Sequence, residues 1–195
     1  MNLLDTILTA NRNFVHPGAF PPLPKNPKKQ LAIFTCMDTR LVDFLEPAMG
    51  IKRGEAKVIK NAGNTLVDPL HGGVIRSLVA AIFMLGVEEV FVIGHEDCGI
   101  ASVDPEKLKS DMIARGISPL AIETHVPDLA QWLGAFACPA ENVVEVVAKI
   151  RTNPLIPADV PIHGLIFCPN DGRLKVMVDG YKAQGYIPID QEGNR

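Results

Sequence analysis

The sequence predicts an α/β fold: a mostly parallel central sheet of four strands plus an antiparallel edge strand, helices on both faces, and an N-terminal helical arm. Three observations predict it. Four short apolar runs, rich in β-branched residues and bounded by Gly or polar breaks, have the pattern of strands buried on both faces. Longer stretches with apolar residues at helical spacing lie between them, the alternation that produces a parallel sheet with helical crossovers. A fifth run alternates in polarity and follows the turn "PNDG", which marks an antiparallel edge partner.

In chain order, "MNLLDTILTANRNFV" places Leu3, Leu4, Ile7 and Leu8 on one face of an amphipathic helix. The prolines of "HPGAFPPLPKNPKK" (16–29) exclude helix and predict an extended arm. The buried strands are "LAIFTC" (31–36), "AKVIKN" (56–61), "EVFVIG" (89–94) and "HGLIFC" (163–168), and the edge strand is "RLKVMVDG" (173–180). Pro47 shortens whatever helix forms in "RLVDFLEPAMG" (40–50), and Gly86 stops the apolar helix at 72–86. An Asp cap, an N1 Pro and a terminal Gly delimit a helix in 104–116. "PDLAQWLGAFA" and "AENVVEVVAKIRTNP" supply two more, and Trp132 and Phe136 read as core or interface.

A chain of 195 residues suits one domain with a buried core. Its formal net charge of -3 argues against a nucleic-acid partner. No run reaches the roughly 18 uncharged apolar residues of a membrane helix, and Asp5 falls where a signal peptide would have its apolar core. The expectation is a soluble, cytoplasmic protein with no membrane partner. Cys36, Cys98, Cys138 and Cys168 lie far apart, which favours metal binding or simple burial over disulfides.

Ligands of doubly wound sheets bind beyond the carboxyl ends of the strands, where strand order reverses. Cys36 closes the first strand, and "GHEDCG" puts His95 and Cys98 on one turn after the third. If those strands are neighbours, two thiols and an imidazole converge. Cys, His and Cys are a Zn²⁺ ligand set that leaves a fourth position for water or a carboxylate. Asp38, two residues from Cys36, can point into the same crevice, and Arg40 can clamp its carboxylate bidentately, keeping it near the metal but not on it.

Rival readings fit less well. "CMDTR" is similar to a phosphatase loop, which needs five residues between Cys and Arg; here there are three. The paired Pro-Cys-x-x-Cys of zinc deaminases does not follow His95-Glu96-Asp97. Either cysteine alone reads as an ordinary buried residue; the joint pattern does not. His16 reads as solvated, His71 as helix-capping or surface, and His125 and His163 as structural. "KNAGN" (60–64) resembles a loop that offers backbone N–H groups to an anion.

"CMDTR", "KNAGN" and "GHEDCG", in that order and spacing, together with "VIRS" (74–77) and "HGLIF" (163–167), resemble the β-class carbonic anhydrases, and most closely their short prokaryotic branch. The resemblance covers about residues 31 to 180. It implies a single domain over 1–195, with the N-terminal helix and proline arm at 1–30 and a helical insertion over the active site at 99–140. It implies Zn²⁺ held by Cys36, His95 and Cys98, with Asp38 and Arg40 as the catalytic dyad. The implied reaction is reversible hydration of CO₂ to bicarbonate by attack of zinc-bound hydroxide. The implied assembly is a homodimer or higher homo-oligomer, with the N-terminal helix reaching over a neighbour.

The resemblance has limits. Members with a regulatory bicarbonate pocket carry Trp and Arg where this chain has Ile33 and Lys60. Two alternatives stand beside CO₂ hydration: hydrolysis of carbon disulfide or carbonyl sulfide at the same site, and a catalytically silent zinc-binding regulatory protein. The presence of both Asp38 and Arg40 weighs against the second.

Overall fold

The computed structural model describes residues 2–15, 18 and 20–182. Five strands form one sheet: β1 Leu31–Cys36, β2 Ala56–Asn61, β3 Glu89–His95, β4 Ile162–Phe167 and β5 Leu174–Val178. Their order is β2-β1-β3-β4-β5, with β4–β5 antiparallel and the other pairs parallel. This is the predicted fold class, and each predicted strand is found to within a residue or two of its expected ends.

The helices among the described residues are α1 Leu3–Phe14, α2 Leu45–Ala48, α3 Gly73–Leu85, α4 Pro105–Ala114, α5 Pro119–His125, α6 Leu129–Leu133 and α7 Pro139–Arg151. α5 has no counterpart in the sequence prediction. Its seven residues are too few for apolar spacing to register, and the Pro in its first turn is the signal that marks it. α6 is shorter than the predicted 127–137 because Gly134 turns left-handed at φ 68. A Cβ there would lie 2.8 Å from Thr65 Oγ1, so the position suits only glycine.

Strand periodicity divides the core into two. Ala32 and Phe34 of β1 face the layer built by α3 and α7, with Leu78, Val143 and Val147 fully or almost fully buried there. Burying a side chain such as Leu78 contributes about 1.5–3 kcal/mol. Leu31 and Ile33 face the opposite layer, where Leu41, Leu45 and Phe167 close over them. Both faces are covered, but the second carries little helix: the 3₁₀ turn Thr39–Leu41 and the one-turn α2, which contains Pro47. α7 sits tight on the sheet because β3 and β4 each contribute a glycine beneath it. A Cβ on Gly94 would lie 2.7 Å from Val143 Cγ2, and one on Gly164 2.8 Å from Val143 Cγ1.

α1 stands apart from this core. Asn2 caps it by accepting the Asp5 N–H at 2.9 Å, yet none of its residues is buried. Its apolar stripe of Leu3, Leu4, Ile7 and Leu8 is exposed. The arm that follows has no helix among its described residues and joins the sheet through the N–H groups of Lys28 and Lys29, which donate to Gly54 and Glu55 at 3.0 Å. No helix among the described residues is long and apolar enough to cross a membrane.

Candidate metal centre

From β1 the chain crosses one way to β2 and the other way to β3, so the reversal of strand order falls between β1 and β3. Thr35 pairs with Ile93, which brings the next residues, Cys36 and the Gly94–His95 step, to the same end of the sheet. Beyond His95 the chain turns at Asp97, whose φ of 52 is left-handed, and returns Cys98 toward β1. Aspartate tolerates that conformation better than most residues.

The result is a buried cluster. One potential ligand atom from each of Cys36, His95 and Cys98 lies within 4.8 Å of the others. These residues are 4%, 1% and 4% exposed, so no solvent reaches donors that would otherwise need it. His95 Nδ1 lies 2.9 Å from the Glu96 carbonyl, which fixes the proton on Nδ1 and leaves the Nε2 lone pair free. Nε2 is buried with no hydrogen-bond partner among the described residues. A buried, aimed and unpartnered imidazole nitrogen between two thiols is the arrangement a metal ion completes.

The surroundings favour a thiolate at Cys36. The Cys98 thiol, with His95 and the backbone N–H groups of Asp38 and Gly63, holds Cys36 well below the usual thiol range against the effect of burial. Cys98 is pushed up in turn, because it keeps the proton that the pair shares. Gly63 N–H donates to Cys36 Sγ at 3.3 Å. The anion that the "KNAGN" loop serves is therefore the sulfur of Cys36. Asn142 Nδ2 on α7 holds the Gly63 carbonyl at 3.2 Å and so fixes this donor; nothing in the local sequence around Asn142 signals that role.

Asp38 and Arg40 form the bidentate pair expected of them. Arg40 Nε donates to Asp38 Oδ1 at 3.0 Å, Nη2 donates to Oδ2 at 2.8 Å, and the Arg40 backbone N–H donates to Oδ1 at 2.8 Å. These bonds hold the Asp38 carboxyl down to about 2. Asp38 Oδ2 lies 3.8 Å from His95 Nε2, so the carboxylate stands beside the cluster. Asp97, which the sequence reading passed over, takes the far side of the guanidinium, with Oδ2 2.8 Å from Arg40 Nη1. Its place between His95 and Cys98 is the hint that the sequence carries of this contact.

The remaining residues lie elsewhere. Cys138 is the N-cap of α7 and Cys168 follows β4, both outside the cluster. His71 is exposed on a turn whose N–H groups bond to Asp68, and His125 is exposed in the last turn of α5. His163 is structural: its Nδ1 accepts the Gly180 N–H at 3.1 Å, and its ring stacks on Phe91. His16 lies outside the described residues. Phe136 packs against the second core layer, whereas Trp132 is 55% exposed. Ile33 is fully buried, and Lys60 is paired with Glu46 at 3.4 Å.

Comparison with known proteins points in one direction. A family model described as carbonic anhydrase matches residues 31–174. The crystal structure of β-carbonic anhydrase isoform I from Trichomonas vaginalis superposes with a TM-score of 0.89. It is 42% identical and covers 93% of this chain and 100% of its own. β-Carbonic anhydrase 1 of Mycobacterium tuberculosis is 32% identical over 175 residues, 89% of this chain and 97% of that protein. A carbon disulfide hydrolase of an Acidianus strain is 28% identical over 168 residues, 78% of each.

Proposed function

Because the chain belongs to the β-carbonic anhydrase family, we propose that it catalyses the reversible hydration of CO₂ to bicarbonate at the end of strands β1 and β3. The observation that carries this reading is the unpartnered His95 Nε2, buried between two thiols and 3.8 Å from a carboxylate held by arginine. We assign Cys36, His95 and Cys98 as the ligands of Zn²⁺, which suits two thiolates and one imidazole. When bound, zinc would supply Lewis acidity that makes water a competent nucleophile and draws charge from a developing oxyanion.

The chain's own residues do the rest. Gly63 N–H spreads the charge of Cys36 and fixes where its sulfur points. His95 is locked in the ligating tautomer by the Glu96 carbonyl. Asp38, kept ionised by Arg40, presents Oδ2 as an acceptor that orients the reacting water. Arg40 also restrains Asp38 from turning further toward His95 Nε2. A catalytically silent protein would have little use for this pair.

We read the chain as one domain, with the segment 99–140 forming the entrance to the site. Ile100 already packs against Gly63, since a Cβ there would lie 2.9 Å from its Cβ. We also read it as a homodimer or higher homo-oligomer. An isolated helix as short as α1 is marginal in water, and its apolar stripe has no cover among the described residues. A cytoplasmic location suits two adjacent thiols that must stay reduced to hold metal.

Stopped-flow CO₂ hydration by the zinc-loaded protein at about pH 8.5, with Cys98→Ser as control, tests the reading. Activity lost in the variant supports it. The likeness to carbon disulfide hydrolases makes that substrate the second arm. Turnover of carbon disulfide without CO₂ hydration would move the chain to that branch.

A further inference from the structure

We propose that Asp97 is a positioning residue for Arg40, the second jaw of a clamp that holds Asp38 beside the metal site and off it. The consequence for catalysis rests on the carbonic anhydrase reading; the clamp itself is geometry. Asp38 occupies one edge of the guanidinium, through Nε and Nη2. Asp97 occupies the other, with Oδ2 2.8 Å from Nη1 and its backbone carbonyl accepting from Nη2 at 2.7 Å. A guanidinium has five N–H donors in a rigid fork, so the two aspartates together engage most of it.

A guanidinium bonded along one edge can pivot and carry its partner with it. Bonded along both, it cannot turn without breaking contacts on one side. The Asp97 side chain is 88% exposed, so its charge is screened and its contribution is directional rather than strong. Its backbone contribution is fixed by the fold. The left-handed turn that returns Cys98 to the cluster also points the Asp97 carbonyl at Arg40. One residue therefore ties the turn after β3 to the turn after β1. With that tie loosened, Asp38 Oδ2, already 3.8 Å from His95 Nε2, is free to turn inward.

The test uses Asp97→Gly and Asp97→Asn in the zinc-loaded protein. Glycine accepts φ 52 without strain, so it keeps the carbonyl contact and removes only the carboxylate; asparagine keeps a neutral acceptor. Side-chain ¹⁵N NMR should resolve separate Nη1 and Nη2 signals for Arg40 in the parent protein. In Asp97→Gly they should broaden or merge, with kcat/KM several-fold lower at unchanged zinc content, and Asp97→Asn should recover part of both. Arg40 signals as well separated in Asp97→Gly as in the parent would overturn the clamp. So would loss of zinc from Asp97→Gly, which would make Asp97 a support for the Cys98 turn. If the parent protein does not hydrate CO₂, the catalytic reading fails, and the Arg40 signals still decide the clamp.

Discussion

Gly63 donates its backbone N–H to the sulfur of Cys36 across 3.3 Å, joining the loop after β2 to the last residue of β1. The contact depends on glycine twice over. Gly63 has φ 70, and a Cβ would lie 2.9 Å from Ile100 Cβ and 3.0 Å from its Cγ1 and Cγ2. Gly63→Ala should cost about 1–3 kcal/mol through this overpacking. Alanine keeps the N–H, but the loop must shift to clear Ile100 and carries that donor away from Cys36, which should weaken zinc binding about tenfold or more. Urea unfolding and chelator competition measure the two effects separately.

Arg40→Ala should leave zinc bound at one per chain and lower kcat/KM by about 10²-fold, because Asp38 loses the partner that aims it. Arg40→Lys should not restore the rate, since an ammonium cannot bind both carboxylate oxygens in a planar fork. Zinc analysis alongside stopped-flow kinetics checks both points; a variant lacking zinc would show that Arg40 is structural.

The rate should rise from neutral pH to pH 9. Two thiolates leave zinc less electron-poor than neutral histidines do, so the acidity it confers on water develops above the roughly neutral pH of a three-histidine site. Asp38 does not shape this rise. Its carboxyl is lowered to about 2, first by the Arg40 side chain, so it loses its proton far below the range and stays ionised throughout. A flat pH–rate profile over that interval would contradict the ligand assignment.

Gly164→Ala should destabilise the fold by about 1–3 kcal/mol, because the new methyl group would meet Val143 Cγ1 at 2.8 Å and Val147 Cγ2 at 3.1 Å. Val143→Ala removes atoms from a fully buried position and is destabilising by itself. Together the two changes should cost less than their sum, since each relieves the other. Thermal or urea unfolding of the three variants completes the cycle.

Leu4→Asp/Leu8→Asp should leave the sheet and zinc content intact and shift the protein toward monomer in sedimentation velocity. These positions are 63% and 45% exposed, so there is little packing to lose there among the described residues. An unchanged sedimentation coefficient would separate α1 from assembly.

The strands, the fold class and the candidate ligands are legible in the order of residues alone. β1 and β4 are buried along their whole length, so their composition announces them. Cys36, Asp38 and Arg40 lie within one turn, and His95 and Cys98 within another, so local spacing carried each half of the site. That the two halves meet follows from the three-dimensional fold, because strand order depends on crossovers that no local pattern encodes. It alone supplied the groups that come from afar: the Gly63 N–H on Cys36 and Asn142 of α7 behind it. The grip of Asp97 on Arg40 spans 57 residues of chain and is likewise a tertiary fact. Such contacts are made by backbone atoms and ordinary polar side chains. Their residue types are unremarkable in one dimension and acquire a role only through the distance at which folding places them.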